Sequence, residues 1–211
     1  MLSIIIPVFN QLKYTQQIVK EIETKCIWPF EIIIIDDCST DWTHEWLINW
    51  KVQKWYKRKY HRNEVNMWTN YWRNKWVELA EAEYLRIINN DILLTHWLDK
   101  ELHDILLKWH SVACPLSTIG LHKRKLPLFK KKDNICWWCF MMRKDKRRPI
   151  PPQLVLWYWD DYIYRYNPNV WYAGRIHHFE SISIRHASTE RQKQDEVERN
   201  KIHKQPLFRT K

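Results

Sequence analysis

The chain has 211 residues and a formal net charge of +11; it is 45% hydrophobic and 28% charged, and no stretch approaches the roughly 18 apolar residues of a membrane span. That length fits one domain, or one with a short appendage, and the composition is that of a globular protein. The charge permits partners such as phosphates, nucleic acid or an anionic membrane surface without choosing among them, since it gathers in local runs at 51–62, 123–132 and 143–148 that solvated loops also explain.

In chain order, residues 2–8 (LSIIIPV) are near-continuously apolar, the mark of a strand covered on both faces, and 12–24 have helical spacing. The N-terminus lacks a basic leader region and meets Pro7 early, so it reads as a buried strand, and the expected location is the cytoplasm. A second buried strand covers 30–37 (FEIIIIDD), followed by the Ser39-Thr40-Asp41 cap signal and a helix near 43–50. A short strand near 56–60, a helix near 69–81 and a strand at 84–89 come next. This alternation predicts an α/β chain with a parallel sheet, right-handed crossovers, helices on both faces, and ligands at the carboxyl ends of the strands. The second half is less regular: a helix near 95–109, a basic loop, a strand-like ICWWCFMMR, a strand near 170–178, and a charged C-terminal helix and tail over 187–211.

Five cysteines are an odd number, which fits reduced thiols better than a disulfide framework. Cys136 and Cys139 form a lone C-x-x-C that lacks the further ligands zinc needs, and two neighbouring strand cysteines is the plainer reading.

The first, second and fourth strands each end in polar residues: Asn10, then Asp36 and Asp37, then Asn89, Asn90 and Asp91. A carboxylate closing a buried strand costs desolvation unless a cation or donor meets it. Hard cations such as Mg²⁺ take one or two carboxylates plus phosphate oxygens, the arrangement a nucleoside diphosphate requires. Capping of the following helix is the simpler role for such acids and is preferred for Asp41.

Taken together and in order, SIIIPVFN, EIIIIDDCSTD, NMWTNYWRNKWVELAEAEYLRIINND, WLDKEL and WYWDDYIYR resemble the inverting family-2 glycosyltransferases over about residues 2–186, leaving 187–211 as an appended helix and tail. The resemblance implies the GT-A fold, a Rossmann-like, mostly parallel central sheet with helices on both faces. It assigns Pro7, Val8, Phe9 and Asn10 to the nucleotide side of a nucleotide-sugar site, together with Asp36, Asp37 and Asn74. The D-x-D motif corresponds to Asn89-Asn90-Asp91, with Asp91 as the direct ligand of Mn²⁺ or Mg²⁺ and Asn89 in place of the first acid. Asp161 matches the catalytic base and Asp160 the acid before it. In IHHFES, His178, and less well His177, matches a late histidine near the metal or diphosphate. The implied partners are a nucleotide-sugar donor and a glycan or lipid-linked acceptor, with peripheral membrane contact through the basic loops and no nucleic acid. Two other readings stand beside it: a carbohydrate-binding module that stacks sugars on exposed tryptophan, and a nucleotidyltransferase of similar sheet.

The chain holds 15 Trp but only 2 Gly, against about 15 Gly expected at average usage of roughly 7%. Trp42, Trp68, Trp76 and Trp159 stand where the family commonly has glycine, as if a gene using UGA for glycine had been translated with UGA as tryptophan. At such turn positions a positive φ is expected. Trp97, by contrast, reads as a genuine tryptophan. Packing of Trp68, Trp72 and Trp76 along one helix face is the plainer alternative.

Overall fold

A computed structural model describes residues 1–52, 55–108, 110–117, 130–131, 138–154, 159–179 and 189–204. The apolar runs become the centre of the sheet. Strand β1 (Leu2–Val8) lies parallel to β2 (Phe30–Asp36), β2 is flanked by β3 (Lys57–Arg62), and β1 is flanked by β4 (Tyr84–Ile88), all parallel. The crossovers are α1 (Leu12–Lys25), α2 (Thr43–Asn49) and α3 (Trp68–Leu79). In α1 the buried Thr15, Ile18, Val19 and Ile22 recur at helical spacing, so one stripe meets the sheet. Full burial of a side chain such as Ile18 or Ile22 stabilises by about 2 kcal/mol.

Beyond β4 the chain forms β5 (Ile92–Leu94), α4 (Leu98–Leu107), β6 (Val112–Ser117), β7 (Lys130–Lys131), β8 (Cys139–Arg143), a 3-10 turn at Lys144–Lys146, α5 (Trp159–Tyr166), β9 (Val170–His178) and α6 (Thr189–Lys204). The order across the sheet is β3-β2-β1-β4-β8-β6-β9-β5, with β7 also on β9. Strand β8 runs antiparallel to both β4 and β6, while β6 and β9 are parallel. One core lies on the face of α1 and α4, around Ile18, Ile22, Leu98 and Leu102. A second lies on the face of α3 and α5, around Trp76, Phe140, Trp159 and Ile163. The architecture is therefore the expected GT-A arrangement, Rossmann-like in its parallel half with helices on both faces.

Three strands depart from the sequence reading, the two-residue β7 within the expected basic loop among them. Residues 112–117 fall where only a basic loop was expected, because Pro115 looks like a strand breaker. The β6–β9 register shifts between Cys114 and Leu116, and such an irregularity is where a strand tolerates proline. The three-residue β5 was also missed; it is too short to show a period.

Arg86 of β4 is fully buried and ion-paired to Asp99 of α4, beside the thiols of Cys26 and Cys139. Burial pushes the Cys139 thiol up to about 11 and Cys26 higher still, so both remain protonated. Cys26, Cys38, Cys114 and Cys139 carry reduced thiols, and Cys136 lies outside the described residues.

The basic run at 143–148 is largely engaged. Arg143 pairs with Asp145, Lys144 Nζ donates to the Ala80 carbonyl at 2.6 Å, and the Arg148 guanidinium lies 4.5 Å from the Tyr166 ring centre. Of the run at 123–132, only Lys130 and Lys131 fall among the described residues.

The expected positive φ at glycine-like tryptophans is not found at 42, 76 or 159. Trp42 has φ −71 at the start of α2, Trp76 is inside α3, and Trp159 opens α5. Among the described residues, the one tryptophan in the left-handed region is Trp97, at φ 69. Helical backbone accepts any L-residue, so the case for a glycine exchange at 42, 76 and 159 rests on the family motifs alone. Trp76 and Trp159 are buried core residues, 2% and 3% exposed, which favours packing for that end of α3. The side chains of Trp68 and Trp72 lie outside what is described.

Candidate active site

Because β2, β1 and β4 are adjacent and parallel, their carboxyl ends open on one edge of the sheet, with Val8 paired to Asp36. The chain turns sharply there. Asn10, Gln11 and Cys38 have φ of 56, 63 and 65, a left-handed backbone that asparagine tolerates better than most non-glycine residues. The two turns are tied together. The Asn10 amide N–H donates to Ser39 Oγ at 2.7 Å, and Asn10 Oδ1 accepts from the backbone N–H of Thr40 at 2.7 Å and of Asp41 at 3.2 Å. Asp41 Oδ1 accepts from Thr43 N at 2.9 Å and Oδ2 from Leu12 N at 3.2 Å, so one carboxylate serves the first turns of α1 and α2. Burial opposes its charge, but these hydrogen bonds outweigh that and hold the carboxyl below its usual range.

Asp36 is wholly buried. Its Oδ1 accepts from Ser39 N at 2.8 Å and its Oδ2 from the Tyr60 hydroxyl at 2.9 Å, and burial together with this carboxylate pushes the Tyr60 phenol well up. Asp37, 6% exposed, takes Asn63 Nδ2 and Met67 N on Oδ1, each at 2.8 Å, and so organises the segment leading into α3. Between them the two acids fix the turn after β2 and the loop after β3. Pro7 is partly buried, Val8 is buried, and Phe9 is 40% exposed at the same edge.

At the end of β4, the Asn89 N–H donates to the Trp138 carbonyl at 2.9 Å, and Asn90 Nδ2 donates to Thr15 Oγ1 of α1 at 3.1 Å. Asp91 follows, 6% exposed, and its carbonyl accepts from Phe179 N at 2.9 Å. His178 is paired in register with Ile92. The backbone of His178 therefore lies close to Asp91 in the sheet, while its side chain falls outside the described part; His177 is exposed and stacks edge-on against Phe179 at 4.9 Å. Among the described residues no group of three or more His, Cys, Asp or Glu stands ready as a metal cage.

Asp160 and Asp161 occupy the first turn of α5. The Trp159 ring lies 5.9 Å from Phe140, whose strand partner is Ile87, so α5 begins near the carboxyl end of β4. Asp161 is partly exposed, and its Oδ2 lies 3.4 Å from Arg199 Nη1 of α6. Asn74 is the candidate that stands apart. Its Nδ2 donates to the Ile150 carbonyl at 2.8 Å, and its Oδ1 accepts from Ile150 N at 2.8 Å and Arg147 Nη2 at 2.9 Å, clamping α3 to the segment before α5. Burial lowers the Arg147 guanidinium to about 10. Sequence reasoning read Ser39 only as part of a cap signal and passed over Asn63 and Arg199; Asn63 falls between two motifs, and nothing in the charged pattern near 199 marked it.

Residues 3–165 match the model of the family described as Glycosyl transferase family 2. Among solved structures, S. aureus TarS 1-349 in complex with UDP-GlcNAc superposes with a TM-score of 0.65 at 18% identity, over 89% of this chain and 61% of that one. TarS 1-349 alone gives 0.62 at 18% identity, over 82% of this chain and 60% of that one. GalNAc-T7 with UDP, GalNAc and Mn²⁺ gives 0.67 at 14%, over 84% of this chain and 43% of that one. The chain thus spans about 60% of the TarS fragment, and likeness at such identity concerns the fold. No curated protein matches it closely enough in sequence to count as a relative. With the family model covering residues 3–165, most of the chain, the chain belongs to glycosyl transferase family 2.

Proposed function

We propose that the protein is an inverting, metal-dependent glycosyltransferase that moves a sugar from a nucleoside-diphosphate sugar to a hydroxyl acceptor in glycan or cell-surface polysaccharide synthesis. The observation that carries this reading is the convergence of Asn10, Asp37 and Asn89-Asn90-Asp91 at one sheet edge, with the acids of α5 opening near it. That edge is where open α/β sheets take ligands.

In the mechanism, Asp161 accepts the proton of the acceptor hydroxyl while that oxygen attacks the anomeric carbon from the face opposite the diphosphate. The new carbon–oxygen bond forms as the bond to the diphosphate oxygen breaks, the bonding pair leaves with the nucleoside diphosphate, and the proton ends on Asp161. A carboxylate is a weak base toward an alcohol, so proton transfer is late and coupled to attack. Phe9, Asn10 and Asp37 serve the nucleotide end, and the cross-tied turns hold that end rigid before the donor arrives. Asp91, with His178 as the other candidate, would hold a hard cation such as Mg²⁺ or Mn²⁺, an ion class that takes one or two carboxylates together with substrate phosphates. When bound, such a cation neutralises charge on the leaving diphosphate.

No described helix is long and apolar enough to cross a membrane, and the reading places the protein in the cytoplasm. The test is a donor screen that scores nucleoside diphosphate release with Mn²⁺ or Mg²⁺ and again with chelator. Sugar-dependent release that chelator abolishes supports the reading. Pyrophosphate as product points to a nucleotidyltransferase, and sugar binding with no turnover points to a binding module.

A further inference from the structure

Helix α6 is polar and charged and has no apolar stripe to explain why it docks. What it presents to α5 is Arg199 and Ile202, the latter packed on the core that contains Trp159 and Ile163, with the fully buried Asp195 one turn before Arg199 along the same helix. The facing row on α5 is Asp161 and Arg165, also one turn apart. Arg165 Nη1 donates to the Ile202 carbonyl at 3.0 Å, and Arg199 Nη1 lies 3.4 Å from Asp161 Oδ2. Two contacts one turn apart on each helix set the register of α6, and that register brings a guanidinium onto one oxygen of the α5 acid.

We propose that Arg199 is a positioning residue for Asp161: by donating to Oδ2 it holds the carboxylate in one rotamer and leaves the other oxygen to the acceptor hydroxyl. The inference rests on Asp161 being the base. The pair is poorly suited to a purely structural role. Its side chains are 26% and 42% exposed, and Arg199 also meets Asn200 Oδ1 at 3.4 Å and Glu196 Oε1 at 3.8 Å, so as a stability element it contributes little. Orientation of a general base, in contrast, is sensitive to small displacements, and a misplacement of about 1 Å costs on the order of a hundredfold in rate.

The experiment compares the full-length chain with Arg199→Ala, Arg199→Lys, Asp161→Asn and the double variant, following UDP release from a panel of UDP-sugars with Mn²⁺, alongside thermal melts. Arg199→Ala is expected to lower kcat by about tenfold or more with donor KM within about twofold and little change in Tm; Arg199→Lys recovers part of the rate, and Arg199→Ala adds nothing to Asp161→Asn. A kcat for Arg199→Ala within twofold of wild type, while Asp161→Asn is inactive, overturns the role of Arg199 and leaves Asp161 as base. An active Asp161→Asn overturns the underlying assignment instead. If Arg199→Ala melts much earlier, the comparison is made with Arg199→Lys, whose full activity overturns the proposal. Crystals of wild type and Arg199→Lys give a readout independent of turnover: one Asp161 rotamer in the first and several in the second is expected, and the same single rotamer in both contradicts the proposal.

Discussion

The backbone N–H of Asn10 donates to the hydroxyl of Ser39 across 2.7 Å, joining the turn after β1 to the turn after β2. Asn10 returns the connection through its side chain, which accepts from the N–H groups of Thr40 and Asp41. With φ at 56, Asn10 satisfies two needs at once: a left-handed backbone and an acceptor that reaches the neighbouring turn.

Asn10→Ala therefore destabilises the fold by about 2–3 kcal/mol, the sum of two lost hydrogen bonds and a left-handed alanine. Asn10→Gly keeps the backbone freedom, loses only the bonds, and falls between alanine and wild type. Urea unfolding checks the order; a glycine variant no better than alanine contradicts the assigned role of φ.

Asp41 carries a pH dependence with a definite sign. Its folded-state pKa lies below the unfolded value of about 3.9, so its contribution is fully present above that value and is lost as pH falls through the folded pKa. The stability gap between wild type and Asp41→Ala, large at pH 7, should narrow below about pH 4 in urea titrations. A gap that is constant down to pH 2 contradicts the assignment.

Arg86 and Asp99 form a buried pair whose halves depend on each other. Asp99→Ala leaves an uncompensated guanidinium in the core and costs about 3–5 kcal/mol, whereas Arg86→Met with Asp99→Leu removes both charges and recovers most of that loss. Chemical denaturation of the three proteins decides; a double variant as unstable as the single one goes against the account.

Much of the fold was legible because the first half obeys simple periodicities. The all-apolar runs at Ile4–Ile6 and Ile32–Ile35 admit only buried strands, and Asp41 behaves as the helix cap that its position announced. What was hidden is non-local or irregular. Pro115 masked β6 because its register shift exists only against β9. The ties from Asn10 to Ser39, Thr40 and Asp41 span about thirty residues and leave no local signal. Arg199 sits in a helix charged on every side, so no pattern separates the residue facing Asp161 from its neighbours.

Among the described residues, Trp97 is the tryptophan whose backbone glycine suits best, at φ 69 and 60% exposed. Trp97→Gly should raise stability by about 1 kcal/mol through relief of left-handed strain, whereas Trp42→Gly, at φ −71, should give no such gain. Thermal melts compare the two, and equal gains contradict the strain argument. The gene tests the exchange suggested by the family motifs separately: UGA codons at 42, 68, 76 and 159 support it, and UGG there contradicts it.

The mechanism stands on one side chain. Asp161→Asn preserves size and hydrogen bonding but removes the basic oxygen, while Asp160→Asn, one residue away, removes the same charge as a control. The decisive measurement is sugar transfer, followed as nucleoside diphosphate release in the presence of a verified acceptor and Mn²⁺, for both variants alongside donor binding. The account predicts that Asp161→Asn binds the donor normally yet transfers no sugar, with Asp160→Asn the milder lesion; near-normal transfer by Asp161→Asn would contradict it.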